Sequence, residues 1–219
     1  AGIIVIAVLA ALTWIQCGYW KNSIELWNHA LKVTKDNYIA YNNRGTVYIS
    51  LGQNEPAMND YNEAIRLKPD YADAYNNRGN IYKKLGQYRL AIEDNNKAIE
   101  LNPYSYKYYN NRGNTYSILG QYQLAVEDYN QAIRLNPYFA EPYSNRGNVY
   151  NNLNQNEMAM QDYNQAIRLK PDYADAYNNK AYVYLKTGNT NLGCNDAQKA
   201  CEMGRCATLN FAKAKGFCR

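Results

Sequence analysis

Hydrophobic and polar residues alternate with the spacing of an α-helix along most of the chain. Tyr41, Gly45 and Tyr48 are placed to share one face of a helix, and Ala57 and Tyr61 are placed to share a face of a second helix. A Leu-Gly-Gln sequence between the two runs is a helix-stop signal, because glycine adopts the left-handed conformation that ends many helices. The pattern predicts a pair of helices joined by a tight turn. We expect Gly45 and Ala57 to be small because the two helices cross closely there.

The helix pair recurs with a period of 34 residues, marked by the phrase YNNRG and its variants. The last position of this phrase holds Gly45, Gly79, Gly113, Gly147 and finally Ala181. A fixed period of this length is typical of stacked-repeat proteins. We therefore expect five consecutive units, at 38–71, 72–105, 106–139, 140–173 and 174–205.

The small, aromatic and proline positions of each unit resemble the tetratricopeptide repeat (TPR) pattern. The resemblance covers residues 38–205 without an insertion between units. It implies an all-α fold, a right-handed TPR solenoid of helix-turn-helix repeats, and it implies a binding scaffold. Asn95 departs from the pattern, because it stands where the first, third and fourth units carry Tyr61, Tyr129 and Tyr163, and we expect weaker packing in the second unit. Asn154 replaces the turn glycine and also tolerates the left-handed conformation.

Each unit combines a basic residue in its first helix with an acidic residue sixteen positions later. The basic residue occupies a position that is usually leucine in the TPR family. We expect a structural ion pair between the two helices, because loss of one partner would leave a half-buried charge. The alternative is a solvated basic stripe. The expected pairs are Arg44 with Asp60, Arg78 with Asp94, Arg112 with Asp128, Arg146 with Asp162, and Lys180 with Asp196.

The recurring asparagines of the first helices form the candidate binding groove. An asparagine amide matches the donor and acceptor of a peptide bond, so a row of them can hold an extended chain by its backbone. The arrangement resembles the asparagine ladder of the nucleocytoplasmic O-linked N-acetylglucosamine transferase. Alternatively, these side chains keep a solvated face soluble or bond between adjacent repeats. The candidate residues are Asn43, Asn77, Asn111, Asn145 and Asn179, with Asn80, Asn114 and Asn148 three positions after three of them.

The first 20 residues carry no charged side chain and begin with a strongly apolar run. A membrane-spanning helix needs about 20 apolar residues, and Trp14, Tyr19 and Trp20 are typical of a membrane interface. We expect the C-terminal part of a transmembrane helix over 1–20, truncated at its start. A signal-peptide core and a buried capping helix are the alternatives. Residues 21–37 align with the second helix of a unit alone, so we expect a half-repeat there.

Four cysteines lie close to the C-terminus, in a predicted cap over 206–219 and the helix before it. An even, clustered set indicates disulfides formed in an oxidising compartment. If 191–203 and 207–216 form an antiparallel helical hairpin, Cys201 faces Cys206 and Cys194 lies near Cys218. Free thiols and a zinc site are the alternatives, although the spacing lacks the short knuckles of structural zinc sites.

Both ends of the chain carry a second resemblance. The passage at 12–45 resembles the junction where bacterial TMTC-like membrane proteins, related to protein O-mannosyltransferases, pass into their TPR tail. The closing phrase at 193–219 is similar to the C-terminal end of such proteins. The resemblance implies a glycosyltransferase-like membrane body upstream and a periplasmic tail. It predicts a membrane-anchored scaffold with an extracytoplasmic repeat domain that presents proteins to that body.

Composition and motifs argue against catalysis and nucleic-acid binding. The single histidine, His29, leaves no Ser/His/Asp constellation, and no phosphate-binding glycine loop occurs. The net charge of +5 is modest and its signs are interspersed. We predict no enzyme activity in this chain, no cofactor and no metal, with an extended peptide or protein as partner and the membrane contacted through 1–20. The alternative is a spacer, or a solenoid that stacks into filaments, which the atypical last unit disfavours.

Overall fold

The computed structural model of the protein describes residues 23–218. The predicted membrane helix over 1–20 and the start of the predicted half-repeat lie outside these described residues. Within the described range, no helix combines the length and the apolar character that crossing a membrane requires.

All regular structure in the described range is α-helical. Two features of the sequence produce this result, namely the helical spacing of the small and aromatic residues and the stop signals between the runs. The twelve helices of residues 23–218 are α1 Ser23–Val33, α2 Tyr38–Ser50, α3 Asn54–Leu67, α4 Ala72–Lys84, α5 Tyr88–Leu101, α6 Tyr106–Ile118, α7 Tyr122–Leu135, α8 Ala140–Asn152, α9 Asn156–Leu169, α10 Ala174–Lys186, α11 Thr190–Glu202 and α12 Ala207–Ala214.

The helices belong to two compact units, divided between Pro103 and Tyr104. The N-terminal unit contains α1–α5, in which each helix packs against the next along the chain. The C-terminal unit contains α6–α12, and its successive helices pack in the same way. Within each unit, the first helix of one repeat also contacts the first helix of the following repeat, as α2 contacts α4 and α8 contacts α10.

The turn inside each repeat is closed by the backbone. After α2, Gly52 adopts a φ of 75° and its N–H donates to the carbonyl of Ile49 at 3.0 Å, while the Gln53 N–H donates to the carbonyl of Tyr48 at 2.9 Å. This pair of bonds is the Schellman motif, which satisfies the free carbonyls at a helix end. In the fourth repeat Asn154 takes the left-handed conformation, with a φ of 58°, as the sequence predicted.

The core of each repeat lies where its two helices cross. A methyl group on Gly45 would approach the Tyr61 ring to 2.8 Å, so glycine is required for this tyrosine to lie flat against α2. The Tyr61 side chain is buried with Ala57 and with Ile81 of the following repeat. Tyr129 and Tyr163 make the equivalent contacts in the C-terminal unit, with Val149 and Val183 respectively. In the first, third and fourth repeats, one tyrosine therefore joins its own two helices to the next repeat.

Candidate functional site

The structure brings together every predicted basic and acidic partner. Arg44 donates from Nε and Nη2 to the two carboxylate oxygens of Asp60, at 2.9 and 2.6 Å. The same two-pronged contact joins Arg78 to Asp94, Arg112 to Asp128, and Arg146 to Asp162, with distances between 2.6 and 2.8 Å. In the fifth repeat, Lys180 Nζ lies 3.1 Å from Asp196. Each of these contacts links the two helices of one repeat.

An asparagine of the preceding helix is a third partner of the Arg44, Arg78 and Arg146 guanidinium groups. Arg44 Nη1 donates to Asn28 on α1 at 2.6 Å, and Arg78 Nη1 donates to Asn62 on α3 at 2.8 Å. Arg146 makes the same contact with Asn130, at 2.5 Å. These asparagines are not among the residues predicted from the sequence, although they recur with the same period of 34 residues, at Asn28, Asn62, Asn96, Asn130 and Asn164.

The basic residue also lies between two tyrosines of its own helix. The Arg44 guanidinium is 5.5 Å from the ring centre of Tyr41 and 5.9 Å from that of Tyr48. The arrangement recurs around Arg78, Arg112 and Arg146. Contacts of a cation with an aromatic face are favourable. Together with the bidentate carboxylate contact, they give each of the four arginines a structural position between its two helices.

Burial sets the energetic balance of these ion pairs. Desolvation raises the pKa of the Asp162 carboxyl, and the hydrogen bond and charge of Arg146 oppose the shift. At the N-terminal end, the hydrogen bond with Asp60 raises the pKa of the Arg44 guanidinium. Because desolvation offsets much of the attraction, the pair adds modest net stability, whereas an unpaired member is costly. Its main effect is to fix how the two helices of a repeat pack.

The candidate groove asparagines of the N-terminal unit lie half-buried on α2 and α4. Asn77 Nδ2 donates to Asn42 Oδ1 of the preceding repeat at 2.9 Å, and Asn77 Oδ1 accepts from Asn76 at 3.4 Å. Asn43 Oδ1 accepts from its neighbour Asn42 at 3.3 Å. The Asn77 amide therefore bonds between adjacent repeats, which was one of the alternatives to ligand binding that the sequence left open.

Asn80 lies one turn further along α4. Its Oδ1 accepts from Lys83 Nζ at 3.3 Å, and burial lowers the pKa of the Lys83 ammonium group. Next to this pair is a cavity of about 150 Å³. Its lining combines amide, hydroxyl and aliphatic groups, from Thr46, Ile49, Tyr61, Asn77, Asn80, Ile81 and Lys84.

In the C-terminal unit, asparagines on α6, α8 and α10 also form hydrogen bonds between adjacent repeats. Asn145 Nδ2 donates to Asn110 Oδ1 at 3.2 Å, and Asn179 Nδ2 donates to Asn148 Oδ1 at 2.8 Å. The buried tyrosines approach the same row, since Tyr129 donates to Asn114 at 2.8 Å and Tyr163 donates to Asn148 at 2.7 Å. Asn111 is half-buried on α6, at the position equivalent to Asn145.

Two neighbouring cavities of about 350 and 270 Å³ lie over the last two repeats of this unit. Asn148, Asn178 and Asn179 line both cavities. The walls of the larger also contain Ser144, Asn145, Tyr173, Asp175, Arg205 and Ala207, and those of the smaller contain Asn151, Asn152, Tyr163, Tyr182 and Thr208.

The internal hydrogen bonds leave part of each amide available. An asparagine offers two N–H donors and an oxygen with two lone pairs. Asn77 uses one N–H and one lone pair in the bonds described above. Asn179 uses one N–H toward Asn148 and one lone pair that accepts from Asn178 Nδ2 at 3.3 Å. Each retains one donor and one acceptor, which is the set that one peptide unit requires.

The four C-terminal cysteines form two disulfides, Cys194–Cys218 and Cys201–Cys206. The first links the beginning of α11 to the segment after α12, and the second links the end of α11 to the residue before α12. Among residues 23–218, no group of three or more His, Cys, Asp or Glu side chains is arranged to hold a metal ion.

Comparison with protein families identifies the repeats. Family models described as TPR repeat or tetratricopeptide repeat match residues 45–86, 72–105, 106–139, 128–161, 147–188 and 174–203. These matches overlap or adjoin from residue 45 to residue 203. The chain belongs to the tetratricopeptide repeat family. A search of curated protein sequences found no match.

Solved TPR structures share the fold at low sequence identity. YrrB, described as a TPR protein with an unusual peptide-binding site, is 23% identical with a TM-score of 0.63, over 88% of this chain and 99% of YrrB. PilF of Pseudomonas aeruginosa is 19% identical with a TM-score of 0.71, over 77% of each chain. MamA is 24% identical with a TM-score of 0.62, over 78% of this chain and 96% of MamA. In this TPR chain, the candidate groove asparagines lie on the first helix of each repeat.

Proposed function

We propose that the chain is a non-catalytic scaffold that binds an extended peptide segment along the asparagine-bearing faces of its first helices. The observation that carries the proposal is the spare capacity of Asn77 and Asn179. Each amide is held by neighbouring asparagines and keeps one donor and one acceptor that a ligand could use. A peptide backbone presents the complementary pair at every residue.

The surroundings of these amides support a backbone-directed mode of recognition. Most groups that line the two cavities of the C-terminal unit are neutral amides, hydroxyls and tyrosine rings. The charged side chains Arg205 and Asp175 form an ion pair, with 2.5 Å between Nε and Oδ1. Such a surface discriminates little between side chains, so its affinity comes from the main chain. The peptide-binding site attributed to YrrB is consistent with this use of the fold.

The proposal includes attachment to a membrane and an extracytoplasmic location. The uncharged, apolar sequence at 1–20 supports the attachment, and the two disulfides support an oxidising compartment. The resemblance of the two chain ends to TMTC-like proteins further suggests that the repeats present acceptor proteins to a glycosyltransferase-like body.

A binding experiment with the full chain tests the scaffold function. We would probe an array of N-acetylated, C-amidated peptides of random sequence with the detergent-solubilised protein. The Asn77→Ala/Asn179→Ala double variant should bind the positive peptides about tenfold more weakly, because each truncation removes ligand hydrogen bonds. Methylation of the backbone nitrogens of a positive peptide should weaken its binding similarly.

Matched controls are available on helices outside the predicted groove. Asn59 on α3 and Asn191 on α11 are exposed, and Asn59→Ala/Asn191→Ala should bind like the native chain. Binding that survives both the groove substitutions and backbone methylation would contradict the proposal. Absence of any binding peptide would favour the spacer or filament interpretation.

A further inference from the structure

A directional row of hydrogen bonds leads from the C-terminal cap into the groove of the C-terminal unit. The backbone N–H of Thr208, in the first turn of α12, donates to Asn178 Oδ1 at 3.1 Å. Asn178 Nδ2 donates to Asn179 Oδ1 at 3.3 Å, and Asn179 Nδ2 donates to Asn148 Oδ1 at 2.8 Å. Tyr163 closes the row by donating to the same Asn148 oxygen at 2.7 Å.

The row fixes which way each amide faces. An amide that accepts through its oxygen must direct its nitrogen elsewhere, so the donor at Thr208 determines the orientation of Asn178. Asn178 in turn determines the orientation of Asn179. At Asn148 the oxygen accepts two hydrogen bonds, which fills both lone pairs and leaves its N–H groups for a ligand.

The cap that supplies the first donor is held in place by covalent bonds. Helix α12 has 8 residues, which is too short to be stable by itself. Leu209 and Ala212 bury their side chains, and Leu209 packs against Ala181 and Ala197 of the fifth repeat. The two disulfides fasten both ends of α12 to α11. A second hydrogen bond, from Thr208 Oγ1 to the carbonyl of Asn178 at 3.2 Å, fixes the register of cap and groove.

We propose that the disulfide-fastened cap is a positioning element for peptide binding, in which Thr208 acts through Asn178 to orient the amides of Asn179 and Asn148. The consequence for affinity rests on the proposed peptide-binding function, whereas the orientation of the amides does not. The ligand is the backbone of an extended peptide over the last two repeats. The cavities that Asn148, Asn178 and Asn179 share lie next to Ala207 and Thr208.

The first test measures amide orientation without a ligand. Side-chain NH₂ signals of Asn148 and Asn179 in the full chain would be followed by NMR in the native protein and in Asn178→Asp. The substitution keeps the size and the acceptor for Thr208 but replaces the donor to Asn179 by an oxygen. We expect the Asn179 and Asn148 signals to move and their hydrogen exchange to accelerate. Asn76→Asp, at the equivalent position of the N-terminal unit, should leave them unchanged.

The second variant releases the cap itself. In Cys194→Ser/Cys218→Ser, or after reduction with dithiothreitol, we expect backbone amides of α12 to lose protection. The Asn179 and Asn148 side chains should respond together with them. Loss of α12 protection with unchanged Asn148 and Asn179 signals would overturn the proposal, as would unchanged signals in Asn178→Asp.

Peptide affinity separates this inference from the function on which it rests. With a positive peptide from the array, Asn178→Asp and the cap-released protein should bind about tenfold more weakly than the native chain. If the amide signals change and the affinity does not, the cap does not position the binding groups. If the native chain binds no peptide, the proposed function fails, and the NMR result alone decides whether the cap orients the amides.

Discussion

The first and second repeats fill the space beside their helix-crossing glycine in different ways. In the first repeat the Tyr61 ring lies on Gly45, and the side chain is 2% exposed. In the second repeat the equivalent residue is Asn95, which is 1% exposed and donates to the Ala91 carbonyl at 2.7 Å. The Asn95 Oδ1 atom is buried without a hydrogen-bond partner. A buried oxygen without a hydrogen-bond partner lowers the stability of the folded state. The second repeat therefore carries this cost and also lacks the aromatic contact of the first.

The two repeats are otherwise built alike. Their ion pairs have the same geometry, with Nη2 to Oδ1 distances of 2.6 Å in the first and 2.7 Å in the second. Their turns use the same backbone hydrogen bonds, at Gly52 and Gly86. The comparison therefore centres on the side chain that packs against the crossing glycine.

Truncation of Tyr61 and of Asn95 to alanine should give the largest difference in free energy of unfolding between the two repeats. Tyr61→Ala should lower the free energy of unfolding by about 4 kcal/mol, because it removes a buried aromatic ring and leaves a cavity. Asn95→Ala should cost less than about 1 kcal/mol, because it removes one hydrogen bond together with the unsatisfied oxygen. Urea unfolding of the full chain, with hydrogen exchange of α2–α5 to locate the effect, measures both values. Equal costs would refute the comparison.

The ion pairs should respond equally in the two repeats. Arg44→Ala and Arg78→Ala should each lower the free energy of unfolding by about 3 kcal/mol, because each leaves a buried carboxylate unpaired. The same urea titration provides the measurement. Arg89→Ala is the matched control, since Arg89 is 88% exposed and its contact with Glu93 spans 3.7 Å, and its removal should change little. Markedly different costs for Arg44 and Arg78 would show that the two networks are not equivalent.

A methyl group on the crossing glycine should sharpen the contrast. Gly45→Ala places carbon 2.8 Å from the Tyr61 ring and should cost about 2 kcal/mol. In Gly79→Ala the nearest atoms are Asn95 Nδ2 at 3.1 Å and the Ala91 carbonyl at 3.2 Å. The gain in helix propensity, about 1 kcal/mol, should nearly cancel this milder crowding. Thermal unfolding measures the stability lost in each variant. A larger loss in Gly79→Ala than in Gly45→Ala would contradict this prediction.

Restoring the aromatic residue should give the smallest effect. Asn95→Tyr should raise the free energy of unfolding by about 1 kcal/mol, because the ring would bury apolar area over Gly79 as Tyr61 does over Gly45. Asn95→Leu serves as a control, since it removes the polar penalty without supplying a flat ring. A loss of stability in both variants would mean that the second repeat has adapted to asparagine.

The repeat period was sufficient to predict the helix pairs and the glycine at each crossing. Both follow from contacts within 34 residues of sequence, which the periodicity displays directly. The arginine at 44 and the aspartate at 60 could be proposed as partners for the same reason. Asn28 was overlooked as the third partner of Arg44, because the helix that carries it belongs to the previous unit and its polar side chain resembles a surface residue.

The hydrogen bonds that orient the candidate groove asparagines could not be predicted from sequence alone. Asn43 and Asn77 were identified as candidate ligand-binding groups, but adjacent Asn42 and Asn76 were not recognised as the residues that hold them. The direction of the Asn77 amide depends on the oxygen to which it donates, and that oxygen belongs to Asn42 of the preceding repeat. Thr208 was missed for the same reason, because no repeated pattern marks the cap.

Each ion pair joins the two helices of one repeat, and this has a consequence for how the number of repeats can change during evolution. Residues 66–77 and 168–179 have the same sequence. Recombination between the gene segments that encode them would excise three whole repeats. Asn62 would then precede Lys180 and Asp196 at the offsets that Asn164 now has, so the joined product would retain a full set of partners. Loss of three repeats at this point would therefore keep the ion-pair partners of this chain without a compensating point mutation.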